Sequence, residues 1–166
     1  MMALFTLLEQ LNLPAGKANL VLGPAGEISD VLCEHPAVRV ISFTGSTPVG
    51  KKLVAATAPH LKRLSLELGG NAPFIVFEDA NIDQAVDHLM ANKFRGSGQT
   101  CVCANRIYVQ ASIAQEFSQK LASRANALKV GNGMHDGTDM GPLIDRNAVA
   151  KVQSPVSDAI AKGAQR

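Results

Sequence analysis

"VRVISFTGSTPVGKKLVAATAPHLKRLSLELGG", residues 38–70, decides the fold. Its first part (38–45) is rich in β-branched and aromatic residues and ends at Gly45-Ser46-Thr47. The stretch 47–59 then takes helical spacing, with Pro48 where a helix tolerates it, in the first turn. From 61 to 70 apolar and polar residues alternate until a glycine pair stops the run. A strand, a helix and a strand in that order predict a parallel pair joined by a crossover helix.

The same alternation extends in both directions. Towards the N-terminus, 2–12 reads as an amphipathic helix ending before Pro14 and Gly16, 19–23 ("NLVLG") as a short buried strand, and 25–35 as a helix. Towards the C-terminus, 72–77 reads as a strand and 81–95 as a helix capped by Asn81. A strand at 106–110, a helix at 112–128 and a glycine-rich loop at 131–142 follow. The last segment, 145–163, reads as helix with a break at Pro155, which lacks the N–H a helix interior needs. The expected class is α/β with a largely parallel sheet.

Composition narrows the function classes. The 166 residues are 46% hydrophobic and 18% charged, as in a folded globular chain holding one domain or pieces of two. A net charge of +2 gives no basic footprint for nucleic acid, and one Tyr with no Trp offers no stacking platform for single strands. The opening "MMALFTLLEQLNLPAG" lacks a basic leader, contains Glu9 and is too short to span a bilayer, so no membrane partner is expected. Three cysteines, an odd number and not spread as a disulfide framework, point to a reducing, cytoplasmic setting.

Three stretches carry chemistry. In "SFTGSTPVG" a strand meets a Gly-Ser-Thr turn and a helix, aiming backbone N–H groups and a positive helix end at one spot. That suits a phosphate, and equally describes an ordinary capped turn. In "LELGG" Glu67 interrupts an apolar strand end before two glycines. Desolvation there would raise its pKa and fit a general base; a solvent-facing carboxylate is the plainer reading. In "GQTCVCANR" Cys101 and Cys103 stand two residues apart. Zinc needs about four ligands, and Cys33, His35, His60, His88 and His135 show no paired-ligand spacing, so no metal is expected. The pair remains a nucleophile with a neighbour, a redox couple, or two thiols filling core space. Arg95, six residues before Cys101, could bind an anion.

The order of these stretches resembles the aldehyde dehydrogenase superfamily. "FTGSTPVG", "LELGGNAPFIVFEDANIDQAV" and "FRGSGQTCVCANRIYVQ" match its motifs almost continuously, with "LPAG" and "GPLID" at either end. Within the family, "ELGGNAPFIVF" followed by "GQTCVCANR" most resembles succinate-semialdehyde dehydrogenases. The resemblance implies parts of two domains of that fold, with a Rossmann-like parallel sheet and helices. Residues 1–67 would end the NAD(P)-binding domain and 68–166 would begin the catalytic domain.

It also implies roles. Cys101 is the nucleophile and Glu67 the general base. Gly45 and Ser46 lie at the cofactor pyrophosphate, Val49 near the adenine, and Leu68 offers its backbone to the nicotinamide of NADP or NAD. Arg95 grips the carboxylate of a small aldehyde substrate, for which a guanidinium fork is suited. Cys103 is the candidate redox partner, on the premise that i and i+2 share a face of an extended segment. Full-length family members form homo-oligomers. Two departures stand out: Gly96 replaces the usual Asn after Arg95, which is expected to loosen the loop, and Pro155 falls in a helix. Segments that complete the family's site, including the oxyanion amide and the ribose-binding strand, have no counterpart here, as in the middle of a longer protein.

Overall fold

The computed structural model describes residues 2–164 and contains six α-helices and four strands among them. They divide into two compact units, one running through Leu68 and the other starting at Gly69.

In the first unit, α1 (Met2–Gln10) and α2 (Ala25–Glu34) precede β1 (Val40–Gly45), α3 (Thr47–Thr57) and β2 (Arg63–Leu68). β1 and β2 pair in parallel, with Val40 opposite Arg63 and Gly45 opposite Leu68, so both strands end at the same edge. This is the crossover unit expected of 38–70. The polar face of β2 is exposed while Leu64, Leu66 and Leu68 are half-buried, which is the alternation read from sequence. Cys33 of α2 and Leu53 and Thr57 of α3 form the buried part of the unit. The Thr57 hydroxyl turns back to donate to Leu53 O at 2.7 Å, so its burial leaves no unmet donor.

The expected strand at 19–23 does not form. Those residues are irregular, and Val21 and Leu22 are 67% and 64% exposed. A strand exists only through a ladder with a neighbour, and no described segment pairs with this one.

The second unit repeats the plan: β3 (Ala72–Val76), α4 (Ile82–Phe94) and β4 (Ala104–Val109), again a parallel pair. Between Ala72 and Pro73 the register slips, where proline has no N–H for the ladder. Asn81 caps α4, its side chain accepting from Gln84 N at 3.0 Å. α4 lays Ala85, Val86, Leu89 and Met90 on Val76, Ala104 and Phe117 of α5 (Ala114–Asn126), forming the core of this unit.

α6 (Arg146–Ala161) runs unbroken through Pro155, contrary to the expected break. The proline removes one N–H and frees the carbonyl four residues earlier. α6 has no buried residue, so water can reach that carbonyl and the helix continues. No helix among the described residues is long and apolar enough to cross a membrane.

Candidate active site

The first unit gathers five of the expected residues at one edge. Gly45 ends β1, Glu67 and Leu68 end β2, Ser46 is the residue before α3, and Val49 lies in its first turn. Register fixes this grouping, with Thr44 opposite Glu67 and Gly45 opposite Leu68. The carboxyl ends of parallel strands are where open α/β sheets bind ligands.

One feature fits a phosphate-bearing group here. The Ser46 side chain makes no capping bond, so it leaves the first-turn N–H groups of α3 to another acceptor. At Gly45 a Cβ would run into the Phe43 ring, so glycine is what leaves room for that ring over the strand end. Gly50, one turn further along α3, brings the helix against the Leu68 side chain. Glu67 is exposed, so the desolvation expected of it is not supplied within the first unit.

The second unit holds the sulfur chemistry. Cys101 is exposed on a turn between the end of α4 and the start of β4; Cys103 is buried, at 1% exposure. The Cys103 thiol donates to Asn92 O at 3.2 Å, and the Thr100 hydroxyl meets its sulfur at 2.8 Å. Asn92 O is one of the last-turn carbonyls of α4 that no helical N–H can reach, so a thiol serves as its cap. The Asn92 side chain accepts from Ala104 N at 2.7 Å and donates to Val102 O at 3.4 Å.

The premise of the redox pairing is therefore not met. Residues 101–103 form a turn rather than an extended segment, and the Cys103 sulfur is buried and engaged while Cys101 faces outward.

The loop ahead of Cys101 is held as well. Gly96, Ser97 and Gly98 all have positive φ, at 57°, 57° and 72°. Glycine adopts this backbone freely and Asn is the side chain that best tolerates it, so Gly96 in place of Asn keeps the conformation. Ser97 adopts it at a steric cost, and its hydroxyl donates to Gly141 O at 2.8 Å. Gln99 accepts from Ile144 N at 3.1 Å. The loosening expected from Gly96 is thus opposed by two ties to residues 141–144.

Arg95 follows α4 and is exposed, with no ion-pair partner within 4.0 Å among the described residues. It lines a cavity of about 450 Å³ together with Met90, Phe94, Arg124, Leu128 and Asp139. Cys101 does not line that cavity. Arg124 is already paired with Asp87 at 2.8 Å, and the Asp139 carboxylate accepts from Lys129 N, so Arg95 is the uncommitted cation. No group of three or more metal-ligating side chains occurs among the described residues.

Motif reading singles out Cys101, Glu67 and Arg95 but misses Asn92, Ser97 and Thr100. Asn92 carries one weak signal, a polar amide in the last turn of a helix just before a glycine-rich loop. Nothing in its spacing announces that it serves Ala104.

Comparison with known proteins places these features in context. The profile described as the aldehyde dehydrogenase family matches residues 1–166. The chain is 55% identical over 164 residues to the 3-sulfolactaldehyde dehydrogenase of Pseudomonas putida, covering 99% of this chain and 34% of that protein. It is 51% identical over 164 residues to the glutarate-semialdehyde dehydrogenase of Pseudomonas putida KT2440, with the same coverage. The crystal structure of succinate-semialdehyde dehydrogenase from Burkholderia pseudomallei superposes with a TM-score of 0.95 at 48% identity, over 98% of this chain and 34% of that one. The chain thus spans about a third of the length of the relatives it matches.

Proposed function

This chain belongs to the aldehyde dehydrogenase family, and from that premise we propose that it carries the nucleophile, the general base and part of the cofactor cradle of an NAD(P)-dependent semialdehyde oxidation. Succinate semialdehyde, going to succinate, is the substrate we assign. Residues 1–67 belong to the NAD(P)-binding domain and 68–166 to the catalytic domain in this reading. The whole protein would act as a homo-oligomer in the cytoplasm.

When bound, NADP or NAD supplies the hydride acceptor. Gly45, Ser46 and the start of α3 would hold its pyrophosphate, Val49 would lie near the adenine, and the Leu68 backbone would face the nicotinamide. Cys101 thiolate forms the S–C bond to the aldehyde carbon. The acyl group left on sulfur after oxidation is released by water, whose proton Glu67 takes. Arg95 receives the anionic far end of the substrate. The relatives' names, covering sulfolactaldehyde, glutarate semialdehyde and succinate semialdehyde, support a substrate with an aldehyde at one end and an anion at the other.

One observation carries the reading: of the two thiols in "TCVC", the turn presents Cys101 to solvent and buries Cys103. In the protein carrying this span, Cys101→Ser should abolish NAD(P)H formation from succinate semialdehyde, while Cys33→Ala should keep it. Normal oxidation by Cys101→Ser would end the proposal. Arg95→Met should raise KM for succinate semialdehyde and leave butanal unchanged; an equal loss on both would remove the anion-binding role. The 166-residue chain alone is expected to show no turnover, because its relatives bring about twice as much further sequence to the reaction.

A further inference from the structure

Cys101 makes no side-chain hydrogen bond among those described, yet its turn is bound at almost every neighbouring residue. Thr100 before it holds the Cys103 sulfur, and Val102 after it gives its carbonyl to Asn92 Nδ2. Ala104, where β4 begins, donates to Asn92 Oδ1 at 2.7 Å. Cys103 itself donates to Asn92 O. Both polar ends of one asparagine side chain and its backbone carbonyl therefore address the three residues that follow the nucleophile. The next helix residue extends the clamp: Lys93 Nζ meets Asn105 Oδ1 at 2.6 Å, and Asn105 Nδ2 donates to Gly70 O.

From this geometry we propose that Asn92 and Cys103 are positioning residues for Cys101, tying its turn to the last turn of α4 and fixing where the nucleophilic sulfur stands. The inference rests on the assignment of Cys101 as the nucleophile. Helix α4 is anchored by its buried face, so the clamp refers the sulfur to the packed core of the unit. Cys103 is suited to the task because a thiol is small and apolar enough to be buried and still supplies one donor to an orphan carbonyl. The side chain of Asn92 is suited because it holds an acceptor and a donor in one plane, matching an N–H and a C=O two residues apart. The second cysteine of the Cys-x-Cys pair thereby acquires a function without forming a disulfide.

The test reads kcat and KM for succinate semialdehyde in the protein carrying this span. In Asn92→Ala and Cys103→Ala, kcat should fall by about fivefold, the weight of one net hydrogen bond, with KM unchanged. Cys103→Ser, whose hydroxyl can donate to Asn92 O and accept from Thr100, should restore the wild-type kcat. If Asn92→Ala does not fold, the Cys103→Ala and Cys103→Ser pair carries the test, since the two differ by one oxygen. Wild-type kcat in Cys103→Ala, or equal kcat for Cys103→Ala and Cys103→Ser, would overturn the proposal. Failure of the nucleophile assignment would appear elsewhere, as turnover retained by Cys101→Ser.

Discussion

Gly50→Ala sets two known magnitudes against each other at the edge where Gly45, Ser46, Val49, Glu67 and Leu68 gather. Within a helix, alanine is favoured over glycine by about 0.8–1.0 kcal/mol. The added Cβ would stand 2.8 Å from Leu68 Cδ2 and 3.0 Å from Cδ1. Carbon atoms settle at about 3.5–4.0 Å, so the end of the Leu68 side chain must withdraw by about 1 Å. Overfilling a packed contact costs about 1–3 kcal/mol. Leu68 ends its strand and is only half-buried, so its methyl groups have room to turn and the low end applies. The two effects nearly cancel, giving a net change within about 1 kcal/mol. Gly50→Val removes the cancellation, because a β-branched residue gains less in a helix and brings two more methyl groups to the contact. It should cost about 2 kcal/mol or more relative to Gly50→Ala. Cys33 is buried in this unit and is its only thiol, so its labelling across a urea series reports this unit alone. Equal midpoints for wild type, Gly50→Ala and Gly50→Val would show that α3 does not seat Gly50 against Leu68, and would refute the packing at this edge.

Three further outcomes follow. Phe117→Ala, at a side chain 1% exposed, should cost about 3–5 kcal/mol in urea unfolding of the second unit; Ile75→Ala, at a residue 59% exposed, should cost under about 1 kcal/mol. Asn81→Ala removes the acceptor for Gln84 N and should lower stability by about 1 kcal/mol in the same assay, with Asn81→Asp restoring it. Hydrogen bonds that Lys120 donates to the Asp83 and Glu116 carboxylates raise its pKa above the ordinary lysine value. The stabilisation from this cluster is therefore complete below the unfolded lysine pKa and disappears as pH rises through the higher folded value. The Lys120→Met variant should accordingly show a flatter loss of stability in that alkaline window, read by thermal melts across the pH series.

The crossover units were legible because their residues obey local rules. Leu64, Leu66 and Leu68 alternate with polar neighbours, and Asn81 announces its helix by occupying the cap. The expected strand at 19–23 failed because apolar content does not create a partner. The break at Pro155 failed for the opposite reason: the freed carbonyl lies on a helix that water reaches. Gly45 and Leu68 come from different strands, so spacing alone does not group them, whereas the parallel register sets them opposite each other.

The two cysteines of "TCVC" mark the limit of reading chemistry from spacing. On an extended strand, residues two apart share a face, and the pair would invite a disulfide. A turn at 101–103 separates their environments, and Asn92, on a helix that ends well before it, is hydrogen-bonded to Val102, Cys103 and Ala104. The sequence can therefore single out Cys101 through its motif while staying silent about the contacts that hold its turn. The orienting contacts are tertiary, made by residue types that occur in any helix end. That division has a chemical consequence under the proposed roles: replacing Cys101 would remove the nucleophile, whereas replacing Asn92 or Cys103 would keep every reacting atom and disturb only the geometry, which is why a lowered kcat rescued by Cys103→Ser, rather than loss of turnover, separates their roles.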